Sequence, residues 1–275
     1  MNSLENKIDF ALIFSVKKAN PNGDPLNGNR PQTDYDGFGE VTDVCLKRKI
    51  RDRLMESEHV IFVQGDYNVL DSHKNLKNRA DSVIKDYSKP DDVRDLACKT
   101  WFDVRAFGQI FPFKAKGNNK DAKGISIAIR GPVTIQSAFS VEPITVSSNQ
   151  IIKSTSLEGD GVNRQPDQMG MKHQVDRAIY VTFGSMNPQL SERTGFNNDD
   201  AETIKAVLPK LFEGDASSAR PEGSMAVEKV IWWQHNSKAG QYSSAKVHRT
   251  LSVNPDGSFE LDNLDGLEPK LIDGF

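Results

Sequence analysis

The run IDFALIFSV near the N-terminus places Ile8, Phe10, Leu12, Phe14 and Val16 at alternate positions, the period of a strand with a face on a core. So apolar a segment must be buried, which anchors a strand close to the start of the chain. The next two dozen residues are opposite in character. From Lys17 to Glu40 the chain is rich in Asn, Gly, Pro and Asp, and so long a loop inside a compact protein is uncommon and usually functional or disordered. A helix is then predicted over Val41–Glu56, with Leu46, Ile50 and Leu54 spaced for one buried stripe and Lys47, Arg48 and Arg51 on its flank.

The rest of the chain reads as a succession of short elements. Ser57–Lys89 is polar and mixed, an exposed helical excursion. Asp91–Phe107 has helical apolar spacing through Val93, Leu96, Ala97, Thr100, Trp101 and Val104, with Asp91 and Asp92 suited to its first turn. Ile125, Ile127 and Ile129 alternate as a strand, and so do Val133, Ile135, Ser137, Phe139 and Val141. A polar segment from about Glu142 to Met171 has few large apolar residues; a strand leads into it and another, Ala178–Phe183, leads out, as in a projecting hairpin. Asn198 is read as the cap of a helix reaching Leu211-Phe212, bent or shortened by Pro209. Met225–Gln234 is a strand, with short strands after it near Val247–Val253 and Ser258–Leu261. With the excursions removed, the order is strand, helix, strand, strand, helix, strand: the βαββαβ order of the ferredoxin-like or RRM-type α+β fold.

Composition narrows the class. The chain has 275 residues, 37% of them hydrophobic, and no apolar run nears the ~20 residues that span a bilayer. The opening MNSLENKIDF lacks the parts of a signal peptide, and Cys45 and Cys98 stand in no metal-type spacing, so a reduced cytoplasmic protein is expected. With 35 Lys+Arg against 38 Asp+Glu the formal charge is −3, which neither supports nor excludes a nucleic-acid partner, because a basic stripe can occupy one face alone.

Catalytic patterns are weak. His59, His73, His173, His235 and His248 form no metal-ligand spacing, and no G-x-S-x-G elbow or Walker-type loop occurs. Asp24, Asp34 and Asp36 could bind a divalent cation, but DYDGFGE stops after two acids of a calcium loop, and Asp and Asn also make turns. The basic flank of the first helix reads as a solvated face neutralised by Glu40, Asp43, Asp52 and Glu56. It also reads as one wall of a phosphate cradle, because a Gly/Asn loop and a helix N-terminus both present N–H groups to anions. RRM-type stacking aromatics are missing from the strands, so any RNA would be held by loops and projections.

Four segments taken in order resemble a known family: the strand with ANPNGDPLNGNRPQTD, the helix VTDVCLKRKIRDRL, DVRAFGQIF, and RGPVTIQSAFSVEPI with the later MGMKHQVDRAIYVTFG. They are similar to the backbone subunit of the CRISPR Cascade complex in the RAMP superfamily, most like its type I-C branch. The resemblance implies a modified ferredoxin-like palm, a helical fingers insertion within 57–120 and a β-hairpin thumb at 142–172, in one domain over 1–275. It implies a non-catalytic subunit without cofactor or metal that polymerises along CRISPR RNA, meets target DNA through the guide heteroduplex, and contacts copies of itself and other Cascade subunits. Position by position, it puts Thr42, Lys47 and Arg51 at guide phosphates, Asn20 and Asn22 beside the RNA, and Gln109 and Ile110 near the bases. Arg48, Arg130 and Lys172 join them on charge and place. The thumb segment carries no obvious large aromatic at its tip. The alternatives are a metal-dependent RAMP ribonuclease using Asp24, Asp34 or Asp36, and a carbohydrate- or nucleotide-binding ferredoxin-like protein.

Overall fold

The computed structural model describes residues 3–113, 125–152 and 169–275. The chain begins with β1 (Ile8–Ala19), β2 (Gly23–Asp24), β3 (Arg30–Pro31) and β4 (Phe38–Val41). Helices α1 (Asp43–Glu56), α2 (Leu76–Val83), α3 (Pro90–Thr100) and α4 (Phe102–Phe107) come next. After them stand β5 (Gly108–Phe113), β6 (Ile125–Arg130), β7 (Val133–Ile135), β8 (Ala138–Pro143), β9 (Val146–Ile152) and β10 (Met169–Met186). The last third holds α5 (Pro188–Thr194), α6 (Asn198–Val207), a 3-10 turn at Leu208–Lys210, β11 (Met225–Gln234), α7 (Ser244–His248), β12 (Leu251–Val253), β13 (Phe259–Leu261) and β14 (Lys270–Asp273).

One large antiparallel sheet runs β14-β11-β1-β10-β8-β4, with β7 and β9 also paired to β10. β1 lies at its centre, opposite β10 from Ile8↔Met186 to Ala19↔Val175 and opposite β11 from Ile8↔Gln234 to Val16↔Met225. The long β10 serves three partners in turn: β9 along Met169–Val175, β8 at Tyr180 and Val181, and β7 along Gly184–Met186.

The alternating residues of β1 pack as their spacing requires. Ile8, Phe10, Leu12, Phe14 and Val16 join Leu46, Ile50 and Leu54 of α1 and Ala201, Ile204 and Val207 of α6 in one core. The other face of β1 is covered too, because Ala11 and Ile13 pack with Val247, Leu251, Leu264 and Leu267 of the C-terminal segment. A third cluster stands apart from the sheet. It unites Phe62, Ala80, Val93, Trp101, Phe111, Ile127 and Ile129, with Phe62 against Trp101 and Phe111 at ring separations of 4.7 and 5.3 Å.

Several sequence expectations shift. The 125–130 strand forms, but it pairs with β5 in its own two-stranded sheet, not with the main one. The close crossing at its base explains two glycines: a Cβ on Gly131 would lie 2.3 Å from the Ala106 carbonyl oxygen, and Gly108 has φ +80°. The expected helix over Asp91–Phe107 divides at Trp101, whose backbone is extended. Asn197, not Asn198, caps α6, in a reciprocal capping box with Asp200. Of the 57–120 excursion, residues 57–113 lie within the described structure and 114–120 outside it. Of the 142–172 segment, β9 and the start of β10 pair antiparallel, and 153–168, where the expected thumb tip falls, lie outside the described residues.

The double coverage of β1 buries one charge. Asp9 is fully buried and meets His235 Nε2 at 2.9 Å, Lys7 Nζ at 3.2 Å and His248 Nε2 at 3.5 Å. His235 Nδ1 accepts from the Gln241 N–H at 2.9 Å, so its proton sits on Nε2 and is donated to Asp9. Burial alone would raise the Asp9 carboxyl, but the hydrogen bond from His235, with His248, Ser244 and the Lys7 charge close by, outweighs it and holds the group well below the usual carboxylate range. Its contribution to stability is therefore complete above the ordinary carboxylate pKa and is lost as pH falls through the depressed value. Removing one partner of a buried charged set costs about 3–5 kcal/mol. Asp9→Ala should thus lower the melting temperature strongly at neutral pH and expose the 235–267 segment to protease. Asp9→Asn, which keeps the shape, should lose less. Melting curves of Asp9→Ala that coincide with wild type would show that this carboxylate does not fasten the C-terminal segment.

Candidate nucleic-acid interface

The polar loop after β1 is built, not slack. The Asn20 N–H donates to the Ala219 carbonyl at 2.9 Å, and its side-chain amide donates to the Asn29 carbonyl at 2.7 Å. Asn22 Oδ1 accepts from both the backbone N–H and the hydroxyl of Thr42, at 2.9 and 2.8 Å. Thr42 Oγ1 in turn accepts from the Cys45 N–H, capping α1. Asn22 and Thr42 thus form the joint between the loop and the start of the helix, while the buried Asn20 braces the loop internally and against Ala219. Asp24 Oδ1 accepts from the Leu26 N–H, and Asp34 Oδ1 accepts from the N–H groups of Asp36 and Phe38, so both carboxylates shape turns. Among the described residues no cluster of His, Cys, Asp and Glu is placed to hold a metal ion, and no helix is long and apolar enough to cross a membrane.

The cations of α1 all have partners, but of two kinds. Lys47 meets Asp43 at 2.9 Å, a pair whose side chains are 25% and 38% exposed. Arg51 Nε donates to Asp103 Oδ2 at 2.9 Å and its guanidinium lies over the Phe107 ring. Asp103 is 1% exposed and also accepts the N–H groups of Phe62 and Val63. Arg48 donates to the Val63 carbonyl at 2.7 Å and approaches Asp52 at 3.4 Å. Two further buried cations of α1 close its other side, Lys49 on Asp215 and Arg53 on the Glu213 carbonyl and Glu56. The interleaved acids Asp43, Asp52 and Glu56 therefore take Lys47, Arg48 and Arg53, whereas Arg51 and Lys49 pair with Asp103 and Asp215 from elsewhere in the chain.

The remaining candidates lie on two other pieces. Gln109 and Ile110 stand on β5 and Arg130 ends β6, opposite Gly108. By strand parity Ile110, 60% exposed, shares the outer face with Arg130, whereas Gln109 is on the face of Phe111 and Ile129. Lys172 is on β10 opposite Asn149. Sequence reading did not single out Arg30. It donates to Ser148 Oγ at 3.1 Å beside His173, itself 2.8 Å from that hydroxyl, and so ties the polar loop to the hairpin. Only its place between two turns hinted at this, since a lone Arg in a loop carries no periodic signal.

The family profile of CRISPR-associated protein Cas7 matches residues 6–268. A protein of that name from Haloferax volcanii is 25% identical over 271 residues, covering 93% of this chain and 78% of the relative. Among solved structures, a chain of a CRISPR RNA-guided surveillance complex in a pre-nicking state aligns with a TM-score of 0.48 and 16% identity over 82% of this chain and 75% of that one. Another, from a CRISPR RNA-guided surveillance complex, gives 0.45 and 17% over 92% and 77%. With the profile spanning nearly the whole chain, including the bulk of all three core clusters and the loop between β1 and α1, the chain belongs to the CRISPR-associated protein Cas7 family.

Proposed function

We propose that this chain is a non-catalytic backbone subunit of a type I Cascade complex, most like the type I-C branch, that polymerises along CRISPR RNA in the cytoplasm and presents it for pairing with target DNA. The observation that carries the reading is the Asn22–Thr42 joint. It fastens a polar loop whose residues 25–29 are exposed to the N-terminus of α1, one turn from a lysine held only by a part-exposed carboxylate. Such a surface suits a sugar–phosphate backbone of any sequence, with recognition left to base pairing. In this reading Lys47, with Asn20, Asn22, Thr42, Arg48 and Arg51, lines the phosphate track. Gln109 and Ile110, with Arg130, flank the bases, and Lys172 approaches from the hairpin. The use of Asp24 and Asp34 in turns supports the non-catalytic reading over the ribonuclease one.

The architecture supports the same reading. The order β11-β1-β10-β8, with α1 and α6 packed in one core on β1, is compatible with a ferredoxin-like palm. The third cluster fits fingers and the β9–β10 hairpin fits a thumb. That hairpin leaves Ile151, Ile152, Met169 and Met171 between 50% and 67% exposed, apolar surface that a neighbouring copy would cover on the same RNA.

The two kinds of cation on α1 should respond differently to substitution. Lys47→Ala should leave the melting temperature almost unchanged, since part-exposed pairs contribute roughly 0–1 kcal/mol. It should weaken RNA binding equally for unrelated sequences and reduce the salt slope by about 0.7. Arg51→Ala should in addition destabilise the fold, by leaving Asp103 buried without its cation. A loss confined to one RNA sequence would indicate base readout and refute the backbone clamp. Incubation of labelled single-stranded RNA with the protein and Mg²⁺ or Mn²⁺ should leave it intact; cleavage that Asp24→Ala, Asp34→Ala or Asp36→Ala abolishes would establish the ribonuclease instead.

A further inference from the structure

The loop that leaves α1 carries an exposed aromatic ring held at two points. Tyr67 is 73% exposed, a degree at which a tyrosine ordinarily swings freely. Its hydroxyl nevertheless donates to Asp52 Oδ2 of α1 at 2.6 Å, and Asp52 is itself 5% exposed and beside Arg48. The body of the ring lies against Gly65, where a Cβ would come within 2.8 Å of Tyr67 Cε1 and 3.3 Å of Cδ1 and Cζ. Gly65 is absent from the residues with positive φ, so the backbone does not demand glycine there; the ring does. Burial of the hydroxyl end and the bond to Asp52 push the Tyr67 phenol up to about 12, which keeps it a donor and keeps the pin in place.

The loop around it is equally braced. Gly65 closes a turn with the Asn68 N–H at 2.9 Å. Gln64 Oε1 accepts from the Leu70 N–H, and Arg79 grips Asp71 with two bonds of 2.6 and 2.9 Å and the Phe62 carbonyl with a third of 2.7 Å. These bonds hold the segment in one shape, and that shape offers the solvent a fixed aromatic surface.

We propose that Tyr67 is a stacking platform for an unpaired nucleobase of a single strand lying along α1. The proposal rests on the reading of this chain as an RNA-binding subunit and adds to it an aromatic contact off the sheet. A fixed ring stacks without first losing side-chain freedom, and stacking is tolerant of sequence because every base has a π-face. Both properties suit a track that must accept any guide.

The test compares a short oligouridine strand with the same strand carrying abasic ribose in place of each base, by fluorescence anisotropy at fixed salt. Wild type should favour the intact strand. Tyr67→Leu should bind that strand roughly five- to a hundredfold more weakly and the abasic strand as wild type does. Tyr67→Phe, which keeps the ring but frees it from Asp52, should fall between wild type and Tyr67→Leu, and Gly65→Ala, which displaces the ring, should lose part of the preference. If Tyr67→Leu melts early, Gly65→Ala decides by the same comparison. Variants that bind both strands as wild type does, or lose both equally, overturn the platform and leave RNA binding standing. A wild-type protein that binds neither strand overturns both readings.

Discussion

A central strand covered on both faces must be apolar at nearly every position, and β1 meets that demand from Ile8 to Val16 except at Asp9 and Ser15. The rest of the structure is arranged around this requirement. α1 and α6 cover one face; the other is covered by a segment beginning after β11, and Asp9 is the group that segment must satisfy. A fully buried carboxylate without partners would be prohibitively costly, so the chain brings His235, His248 and Lys7 to it. The same paired strands explain the hairpin. β10 is 18 residues long, and its first residues, Met169–Gln174, run past the end of β1, paired with β9 and with Arg30 of the polar loop beside His173. A projection therefore emerges as a continuation of the core sheet, with the sheet's own stiffness at its root.

Buried carboxylates recur as organisers of the irregular parts. Asp103 gathers two backbone N–H groups and Arg51, Asp52 holds Tyr67, and Asp200 receives Arg105 through bonds of 2.9 and 2.7 Å while closing the α6 capping box. The first two acids tie a loop to a helix, and the third joins one helix to another. This is how a chain with so many loop residues presents a defined surface: local hydrogen-bond donors are tied to helices that the sheet has already positioned.

Much of this was legible in the sequence wherever the signal was local. The alternation in β1, the stripe Leu46, Ile50 and Leu54, and the whole of β11 come from spacing alone. Partner choice was not local. Ile125–Ile129 announces a strand, but nothing in its own residues says that β5 will take it away from the main sheet. The burial of Ala11 and Ile13 depends on residues more than two hundred positions away. Trp101 ends α3 because its ring fills the third cluster beside Phe62 and Phe111, a packing demand that overrides helical periodicity. In the candidate site the loop and helix could be nominated from composition and resemblance, but not the division of labour among their cations, which depends on where Asp103 and Asp215 arrive from elsewhere in the chain.

That division bears on how one helix can both hold a fold and receive a polyanion. An exchangeable cation must leave its resting partner at little cost, and the Lys47–Asp43 pair, part-exposed and adjacent on one helix, is of the kind worth roughly 0–1 kcal/mol. A fixed cation must not leave, and withdrawing a partner from a buried pair such as Arg51–Asp103 costs about 3–5 kcal/mol. On the proposed reading, a phosphate arriving at α1 would draw Lys47 away from Asp43 long before it drew Arg51 Nε from Asp103. The Arg51 terminal nitrogens make no hydrogen bond among the described residues, but the guanidinium rests on the Phe107 ring, which fixes it a second time. The net charge of −3 is no obstacle to such a surface, because what a polyanion meets is the small set of cations whose pairing is weak, not the sum over the chain.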